Sequence, residues 1–453
     1  MSTPSPQPVF QALAALRDEW RPMLRLALPL VFAELGWMAM GVVDTLVAGH
    51  AGRQMLGAVA LGHGLYYTFA VFGVGVIFGL DTLISQAYGR GDLDDCRRSL
   101  AAGLVVSGLF SVPLIGMAWM MGPVMDWFGI DPALQADTQG YLRAVSWGTL
   151  PLMVYSSFRR FLQAQDVVGP VMFALVSANL VNLAGNWILI FGKFGFPALG
   201  AAGAGYATSL ARLYMVGVLA WATASRNGLA LWTEWPGWRR IREVVALGVP
   251  IGVQISFEVA VFALVTTMLG ALGPMVLGGH QITLNLVSVT YMIPLGISSA
   301  AAVRVGQAIG RGDPLAAKRS GWVGIGMGAA FMACAAVFFW TLPELVTGAY
   351  TDDQEVVRMA SSLLVIAAFF QLFDGVQTVA TGALRGLGDT RTPMLAHVIC
   401  YWAIGLPLGW WLTYPGGRGA KGFWIGLSLA LILIGIVLTA AWRKQIEKVQ
   451  GCN

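Results

Sequence analysis

Three acidic side chains fall deep inside strongly apolar stretches of the chain: Asp44, Glu258 and Asp374. Glu34 is a fourth, ten residues before Asp44 and therefore about 15 Å from it along a helix. A charge at the centre of a bilayer costs roughly 2.5–3.5 kcal/mol on insertion scales. Buried carboxylates can instead bind a proton, or hold a metal ion together with neighbouring oxygens. Both properties suit ion coupling, and the alternative is a structural role, such as a helix hydrogen bond or a pair with Arg212.

Polar side chains that could complete sites around these acids lie on similar stretches. Asn182 and Asn186 are four residues apart and so share one face of a helix, where they could form a polar site with the first acid and Thr208. Gln281 and Asn285 form a second such pair, which could join the two later acids. Helix–helix polar contacts are the alternative role for these residues.

Phe257 and Phe370 flank the two later acids in the chain and are candidates for stacking on a bound cation. The four histidines show no metal-ligand spacing and are interpreted as satisfied core or loop residues; they are His50, His63, His280 and His397. The four cysteines are scattered, with no CxxC, so neither a disulfide framework nor a metal knuckle is indicated.

The composition is that of a membrane protein. Hydrophobic residues make up 57% of the 453 residues and charged residues only 11%, and the mean hydropathy is +0.69. Soluble domains carry about 25% charged residues, so we predict an all-α polytopic membrane protein. The net charge of +5 is explained by Lys and Arg in cytoplasmic loops. No basic run interleaved with aromatic residues indicates a nucleic-acid partner.

Twelve stretches are long and apolar enough to cross a bilayer. They are roughly residues 26–49, 57–82, 100–121, 141–158, 170–191, 201–224, 245–270, 277–303, 321–342, 359–383, 393–413 and 422–442. Most of the 28 Lys and Arg residues fall on one side when both termini are placed in the cytoplasm, which is the orientation that the positive-inside rule favours. The first 24 residues contain no apolar core, so no cleavable signal peptide is expected.

A repeat divides these spans into two halves. Gln86–Ser99 (QAYGRGDLDDCRRS) recurs in the second half of the chain as Gln307–Ser320 (QAIGRGDPLAAKRS). We interpret both copies as loops whose glycines permit a tight turn. The predicted organisation is two parallel six-helix lobes with a substrate path between them. Its parts are a cytoplasmic N-terminal tail (1–24), an N-lobe (25–224), a cytoplasmic inter-lobe linker (225–242), a C-lobe (243–442) and a cytoplasmic C-terminal tail (443–453).

The deep acids do not follow this repeat. When the two halves are aligned by their repeated positions, the deep acids stand opposite non-acidic residues, namely Trp37, Val265 and Pro151. Acids that the common scaffold needed would tend to occur in both copies. We therefore expect the deep acids to serve a task specific to each lobe.

Four motifs are distinctive: MGVVDTLVAG in the first span, LDTLISQAYG at the end of the second, VPIGVQISFEVAVFALV in the seventh, and FFQLFDGVQTVATGALRGLGDTRTPM in the tenth and its exit. With these motifs the chain resembles the multidrug and toxic compound extrusion (MATE) family, nearest its NorM-type bacterial branch. The resemblance implies twelve helices in two six-helix lobes around a V-shaped central cavity. It also implies that cationic drugs leave in exchange for Na⁺ or H⁺.

Roles for individual residues are implied by the same resemblance. Glu258 and Asp374 would form a second-lobe cation site and would be the metal ligands if the coupling ion is Na⁺. Gln281 is similar in position to a family glutamine near bound drug. Asp44, with its amide pair, matches a polar first-lobe site that proton-coupled relatives use.

Two positions depart from the family pattern. Phe370 stands where NorM-type sequences often carry tyrosine, so the ring is kept and the hydroxyl is lost. Asn186 stands where some relatives carry an acid. The first departure leaves a cation–π contact available at this position.

The expected function is cation-coupled export of organic cations or amphipathic drugs, by alternating access, across the bacterial inner membrane. The protein would be a monomer in the lipid bilayer, would need no cofactor beyond H⁺ or Na⁺, and would not be an enzyme. A lipid-linked saccharide flippase is one alternative; it would need a basic cavity for pyrophosphate, whereas Arg212 is the only basic residue deep in a span. A polytopic membrane enzyme acting on lipid is the other; it would need a catalytic cluster at a membrane face.

Overall fold

The computed structural model describes residues 7–127, 129–227 and 235–451, and these residues form helices joined by short turns, with no strand among them. The predicted all-α fold is confirmed. The helices are α1 (Gln7–His50), α2 (Arg53–Ile77), α3 (Gly79–Gly89), α4 (Leu93–Trp119), α5 (Met121–Trp127), α6 (Pro132–Ser146), α7 (Thr149–Gln163), α8 (Gly169–Phe191), α9 (Gly200–Asn227), α10 (Gly237–Gly270), α11 (Pro274–Gly310), α12 (Pro314–Thr341), α13 (Pro343–Gly348), α14 (Gln354–Leu387), α15 (Arg391–Val398), α16 (Leu406–Thr413) and α17 (Ala420–Gly451), with a π-helical segment (Ile399–Gly405) between α15 and α16.

Ten helical segments within the described ranges are long and apolar enough to cross a membrane. The two other predicted spans, 141–158 and 201–224, coincide with α6–α7 and with α9. The first of these begins earlier than predicted, because Asp131 caps α6 by accepting hydrogen bonds from the backbone amides of Ala133 and Leu134. It is also interrupted between α6 and α7, and α7 carries two buried arginines, Arg159 and Arg160.

Both copies of the repeated QAxGRGD motif fold in the same way. Gly91 and Gly312 adopt positive φ angles of 78° and 72°, a conformation that glycine takes at little cost. The next residues, Asp92 and Asp313, cap α4 and α12; each carboxylate accepts a hydrogen bond of 2.9 Å from the backbone amide three residues later. The interpretation of the motif as a tight turn is confirmed.

By internal packing the chain divides into two compact units. We call Phe32–Ser256 the N-unit, and Phe257–Asn453 together with Met1–Val31, as far as these ranges are described, the C-unit. The boundary between the two units passes through α1 and α10. The lobes at 25–224 and 243–442 were predicted by counting spans, and they stay a prediction. Of the predicted linker and tails, residues 228–234, 1–6 and 452–453 lie outside the described residues.

Each unit contains an ion cluster built on the first helix of one half of the chain. In the C-unit, Glu19 of α1 accepts hydrogen bonds from Arg304 (2.5 Å) and Ser320 (2.7 Å). In the N-unit, Arg240 of α10 pairs with Asp95 at the start of α4. The repeat relates position 19 to position 240, as it relates position 86 to position 307. These equivalent positions carry opposite charges, Glu19 and Arg240, and each pairs with a residue of the charge opposite to its own.

Glycines allow a close helix crossing inside the N-unit. Gly75 and Gly79, at the junction of α2 and α3, form one GxxxG pair, and Gly248 and Gly252 of α10 form another. A Cβ atom added to Gly75 would lie 2.6 Å from the Cα atom of Gly252. Small residues at this spacing let backbones approach in membrane helices, where packing rather than water exclusion holds helices together.

We predict that Gly248→Leu prevents correct assembly of the N-unit. Even a Cβ atom at this position would overlap the backbone carbonyl of Val76, so the whole leucine side chain cannot fit without separating α10 from α2. Overpacking typically costs about 1–3 kcal/mol, and more when backbone must move. The measurement is the thermal stability of the detergent-purified protein. Gly64→Leu on α2 is the control, because no atom lies within 4 Å of its added Cβ; similar losses in both variants would contradict the prediction.

Candidate functional site

The first of the deep acids, Asp44 of α1, is only 3% exposed and is surrounded by hydrogen-bond donors. Its carboxylate accepts bonds from the side-chain amides of Asn182 (2.9 Å) and Asn186 (2.6 Å), both on α8. The hydroxyl of Thr208 on α9 donates the third bond, at 3.0 Å. The structure thus brings together the four residues that the sequence grouped, and three elements of the N-unit position them.

Asn186 also leaves an acceptor open at this site. Its amide donates to Asn182 at 3.2 Å as well as to Asp44, but its own buried carbonyl oxygen has no hydrogen-bond partner. Three donors therefore converge on the carboxylate of Asp44. A cation that entered would find the unsatisfied oxygen of Asn186 beside this carboxylate, so the cluster offers it two oxygens.

The two later acids both lie in the C-unit. Asp374 of α14 is 5% exposed, and its carboxylate accepts a hydrogen bond of 3.0 Å from Gln377, one turn later on the same helix. Glu258 of α10 lies with a carboxylate oxygen 4.0 Å from the Nε2 atom of His397. Its side chain is 18% exposed, so Glu258 is the more accessible of the two acids.

His397 and Gln377 connect these acids, and neither was predicted from the sequence to belong to the site. The Nε2 atom of His397 lies 2.9 Å from the side-chain oxygen of Gln377, whose amide donates to Asp374. The Nδ1 atom of His397 lies 2.8 Å from the carbonyl of Pro393. His397 was interpreted as a satisfied core residue. Its two ring nitrogens face two carbonyl oxygens, and a neutral imidazole can donate to only one of them. One of these oxygens belongs to Gln377 of the acid cluster, and the i, i+3 spacing of Asp374 and Gln377 was the one signal of this cluster in the sequence.

His280 shows the contrasting, purely structural arrangement. Its Nδ1 atom accepts a hydrogen bond of 3.2 Å from the indole of Trp424, and its Nε2 atom lies 2.8 Å from the hydroxyl of Thr266. An indole N–H can only donate, so Nδ1 carries no proton. The interpretation of His280 as a satisfied core residue agrees with these contacts.

The grouping of Gln281 and Asn285 with the later acids stays a prediction. Both side chains are exposed near the start of α11, and the side-chain oxygen of Asn285 accepts a hydrogen bond of 2.9 Å from Tyr350. The i, i+4 spacing correctly placed the two amides on one helix face. It says nothing about their distance from Glu258 and Asp374, which lie on α10 and α14.

Of the two aromatic candidates, only Phe257 is placed to meet a ligand. Phe370 is 2% exposed and stacks on Trp424, with ring centroids 6.2 Å apart, so the proposed contact of this ring with a cation is corrected. Phe257 is 40% exposed, and its ring meets the edge of Trp402 at 5.5 Å. The sequence analysis missed Trp402, because its approach to α10 depends on packing between helices distant in the chain.

Glu34 lies apart from the Asp44 cluster, in an ion-paired layer of the N-unit. It pairs with Arg159, and both side chains are at most 10% exposed. The next residue, Arg160, pairs with Asp81 at 3.2 Å. These contacts favour the structural alternative for Glu34, a fixed partner that neutralises a buried guanidinium.

We predict that Glu34→Gln destabilises the fold while folded molecules keep transporting. Removing one partner of a buried ion pair typically costs about 3–5 kcal/mol, because the other charge is left uncompensated. Thermal unfolding should show the loss, and the double variant Glu34→Gln with Arg159→Met should recover part of it. Loss of transport per folded molecule at unchanged stability would instead indicate a role in transport.

No group of three or more His, Cys, Asp or Glu side chains within the described ranges is arranged to hold a metal ion. Arg212, the deep basic residue, donates to the hydroxyl of Tyr66 at 2.7 Å and lies over the ring of the same tyrosine, 4.8 Å from its centroid. Arg212 as a whole is 4% exposed. It is therefore held inside the N-unit by an aromatic partner.

Comparisons with known sequences agree with this architecture. The MatE family model matches twice, at residues 29–188 and 250–411, and the starts of the two matches are equivalent positions of the internal repeat. Two relatives are named "Probable multidrug resistance protein NorM". The one from Mesorhizobium japonicum is 35% identical over 95% of this chain and 94% of its own. The one from Pseudomonas aeruginosa is 37% identical over 94% of this chain and 90% of its own.

Solved structures share the fold. The eukaryotic MATE transporter AtDTX14 is 20% identical with a TM-score of 0.88, covering 96% of this chain and 99% of its own. The Vibrio cholerae MATE transporter VcmN, in its bent form, is 16% identical with a TM-score of 0.85, covering 96% of this chain and 99% of its own. The helical architecture is thus retained at low sequence identity.

Proposed function

We propose a function from one premise: the chain belongs to the MatE family, whose model matches both halves of it. It is a multi-pass membrane protein and a multidrug efflux transporter, not an enzyme. Beyond this, our proposal is that it exports small organic cations or amphipathic drugs in exchange for H⁺ or Na⁺, by alternating access. We place it in the bacterial inner membrane as a monomer with both termini in the cytoplasm.

The acid pair of the C-unit carries the proposal. Glu258 and Asp374 lie in one apolar unit and are connected through His397 and Gln377. Two negative charges in such a place are stabilised by a bound cation or proton. A positively charged drug and a coupling ion would therefore compete for the same charge, which is the requirement for exchange.

The available driving force is sufficient for such exchange. A potential of 100 mV supplies about 2.3 kcal/mol per transferred charge, and one pH unit supplies about 1.4 kcal/mol per proton. The Asp44 cluster of the N-unit offers a second place where a proton could bind. Its carboxylate is buried with three donors and one open acceptor.

Efflux of a cationic dye by proteoliposomes tests the proposal, with a Na⁺ gradient alone and a pH gradient alone. We expect one of the two gradients to drive the dye against its concentration difference. If neither gradient drives any of several cationic dyes with folded protein, drug antiport is wrong. Flipping of lipid-linked saccharides would then be assayed in the same vesicles.

A further inference from the structure

An apolar groove lies between α8 and α9 on the surface of the N-unit. Its volume is about 560 Å³, and aromatic side chains, aliphatic side chains and glycines line it. The lining residues of α9 are spaced i, i+3, i+4, i+7 and i+8, which is one face of a helix; they are Tyr214, Gly217, Val218, Trp221 and Ala222. Along this face the groove extends about 12 Å, from the first of these residues to the last.

The groove is open where α9 carries a glycine. A Cβ atom added to Gly217 would have no atom within 4 Å. Phe173 of α8 and Trp221 of α9 also line the groove, and they are 59% and 73% exposed. At the end nearer the middle of α9, the hydroxyl of Tyr214 donates to Ser177 of α8 at 3.0 Å, so a polar contact joins the two helices there. The groove is therefore a narrow apolar channel between two helices that are tied together at one end.

A positive charge follows the other end of the groove. Arg226 lies four residues after Ala222 and therefore continues the same face of α9 one turn further. It is exposed in the last turn of the helix. In the proposed orientation this turn lies at the cytoplasmic membrane surface, because the predicted linker follows it. Arginines at such a position attract the phosphate groups of lipid headgroups.

We propose that this groove binds one membrane phospholipid, with an acyl chain along Gly217 and the phosphate on Arg226. The groove buries apolar surface of the chain, and the guanidinium forms charge-assisted hydrogen bonds with the phosphate. A neutral apolar guest offers nothing to Arg226, and a soluble anion offers nothing to the groove. A phospholipid matches both features, at the spacing that one helix face sets.

The bound lipid contacts the two helices that position the donors of the Asp44 cluster. On α8, Ser177 lies five residues before Asn182, which is about 7.5 Å along the helix. On α9, Tyr214 lies six residues after Thr208, which is about 9 Å. We therefore expect the lipid to stabilise the packing of α8 on α9 beside this cluster.

Native mass spectrometry of the detergent-purified protein, titrated with dioleoyl phosphatidylglycerol, tests the site through the affinity for the first bound lipid. Gly217→Leu fills the groove from a position whose Cβ has open space, and we expect at least about tenfold weaker binding. For Arg226→Gln we expect about fivefold weaker binding. Dioleoylglycerol has the same acyl chains but no phosphate, so its affinity should be equal for the wild type and Arg226→Gln.

Gly326→Leu and Arg242→Gln are the matched controls. Gly326 of α12 is another exposed glycine with no atom within 4 Å of an added Cβ, and Arg242 is another exposed arginine of the N-unit. Both variants should bind phosphatidylglycerol within about twofold of the wild type. If Gly217→Leu does not fold, Trp221→Ala removes a largely exposed side chain of the lining instead, and we expect about fivefold weaker binding.

Three results would each overturn the site. They are unchanged affinity in the folded groove variant, equal losses in the variants and their controls, and a loss of dioleoylglycerol binding in Arg226→Gln as large as that of phosphatidylglycerol. Lipid binding is measured without any gradient or drug, so its outcome is independent of whether the proposed ion exchange is correct.

Discussion

Replacing Asp374 by Asn is expected to collapse the drug gradient that the transporter can maintain. A pH difference of about two units stores about 2.7 kcal/mol per proton, so one-for-one exchange could hold a dye gradient of about 100-fold. Asn has nearly the same shape as Asp but carries neither a charge nor a dissociable proton. The steady-state gradient in proteoliposomes should therefore fall towards equality, whichever ion drives the wild type.

The matched control for this variant is Asp352→Asn. It removes one negative charge from the same C-unit, but at an exposed position just before α14. The expected steady-state gradient of the control equals that of the wild type. If Asp374→Asn maintained a dye gradient within about twofold of the wild type, the carboxylate of Asp374 would not be part of the coupling mechanism.

Features that depend on a few neighbouring residues could be predicted from the sequence. The QAxGRGD turns follow from glycine and a capping aspartate within a few residues, so both copies were interpreted correctly. The Asp44 cluster was also anticipated, because Asn182 and Asn186 share one face of α8 and a lone deep acid needs donors. In both cases a carboxylate needs hydrogen-bond donors, and few donors lie within its reach.

Contacts between helices that are far apart in the chain could not be predicted from the sequence. His397 reaches the acid pair only because α15 packs so that its Nε2 atom meets Gln377 on α14. Phe370 is four residues from Asp374, a spacing that places both on one helix face, yet its ring is taken by Trp424 of α17. The π-helical segment that carries Trp402 has no composition signal of its own.

The division of the chain into two packed units is a second feature that the sequence does not predict. Twelve apolar stretches and the repeated QAxGRGD motif predict two lobes of six spans each. Division by packing is a different quantity: it separates α1 at Val31 and α10 at Ser256, because Gly248 and Gly252 hold the first part of α10 closely against α2. Glycine pairs can be found in the sequence, but which helix each pair meets is decided by the folded chain.

Asp44→Asn is expected to abolish transport driven by a pH gradient, if the N-unit cluster binds the coupling proton. The variant leaves the site without its only carboxylate, and the new amide must face donors from Asn182, Asn186 and Thr208. The measurement is the steady-state dye gradient of proteoliposomes under a pH difference. Full activity of Asp44→Asn would assign coupling to the C-unit, whereas loss in both Asp44→Asn and Asp374→Asn would mean that each transport cycle needs both acids.

A second variant separates the loss of proton binding from the clash between amides. The double variant Asp44→Asn with Asn186→Asp moves the carboxylate to the adjoining position of the same cluster, where the two side chains already share a hydrogen bond. We expect it to regain at least about a tenth of the wild-type steady-state gradient, which is half of the coupling free energy if the wild type reaches about 100-fold. A double variant as inactive as Asp44→Asn, although folded, would mean that the cluster needs its carboxylate on α1 rather than anywhere among its donors.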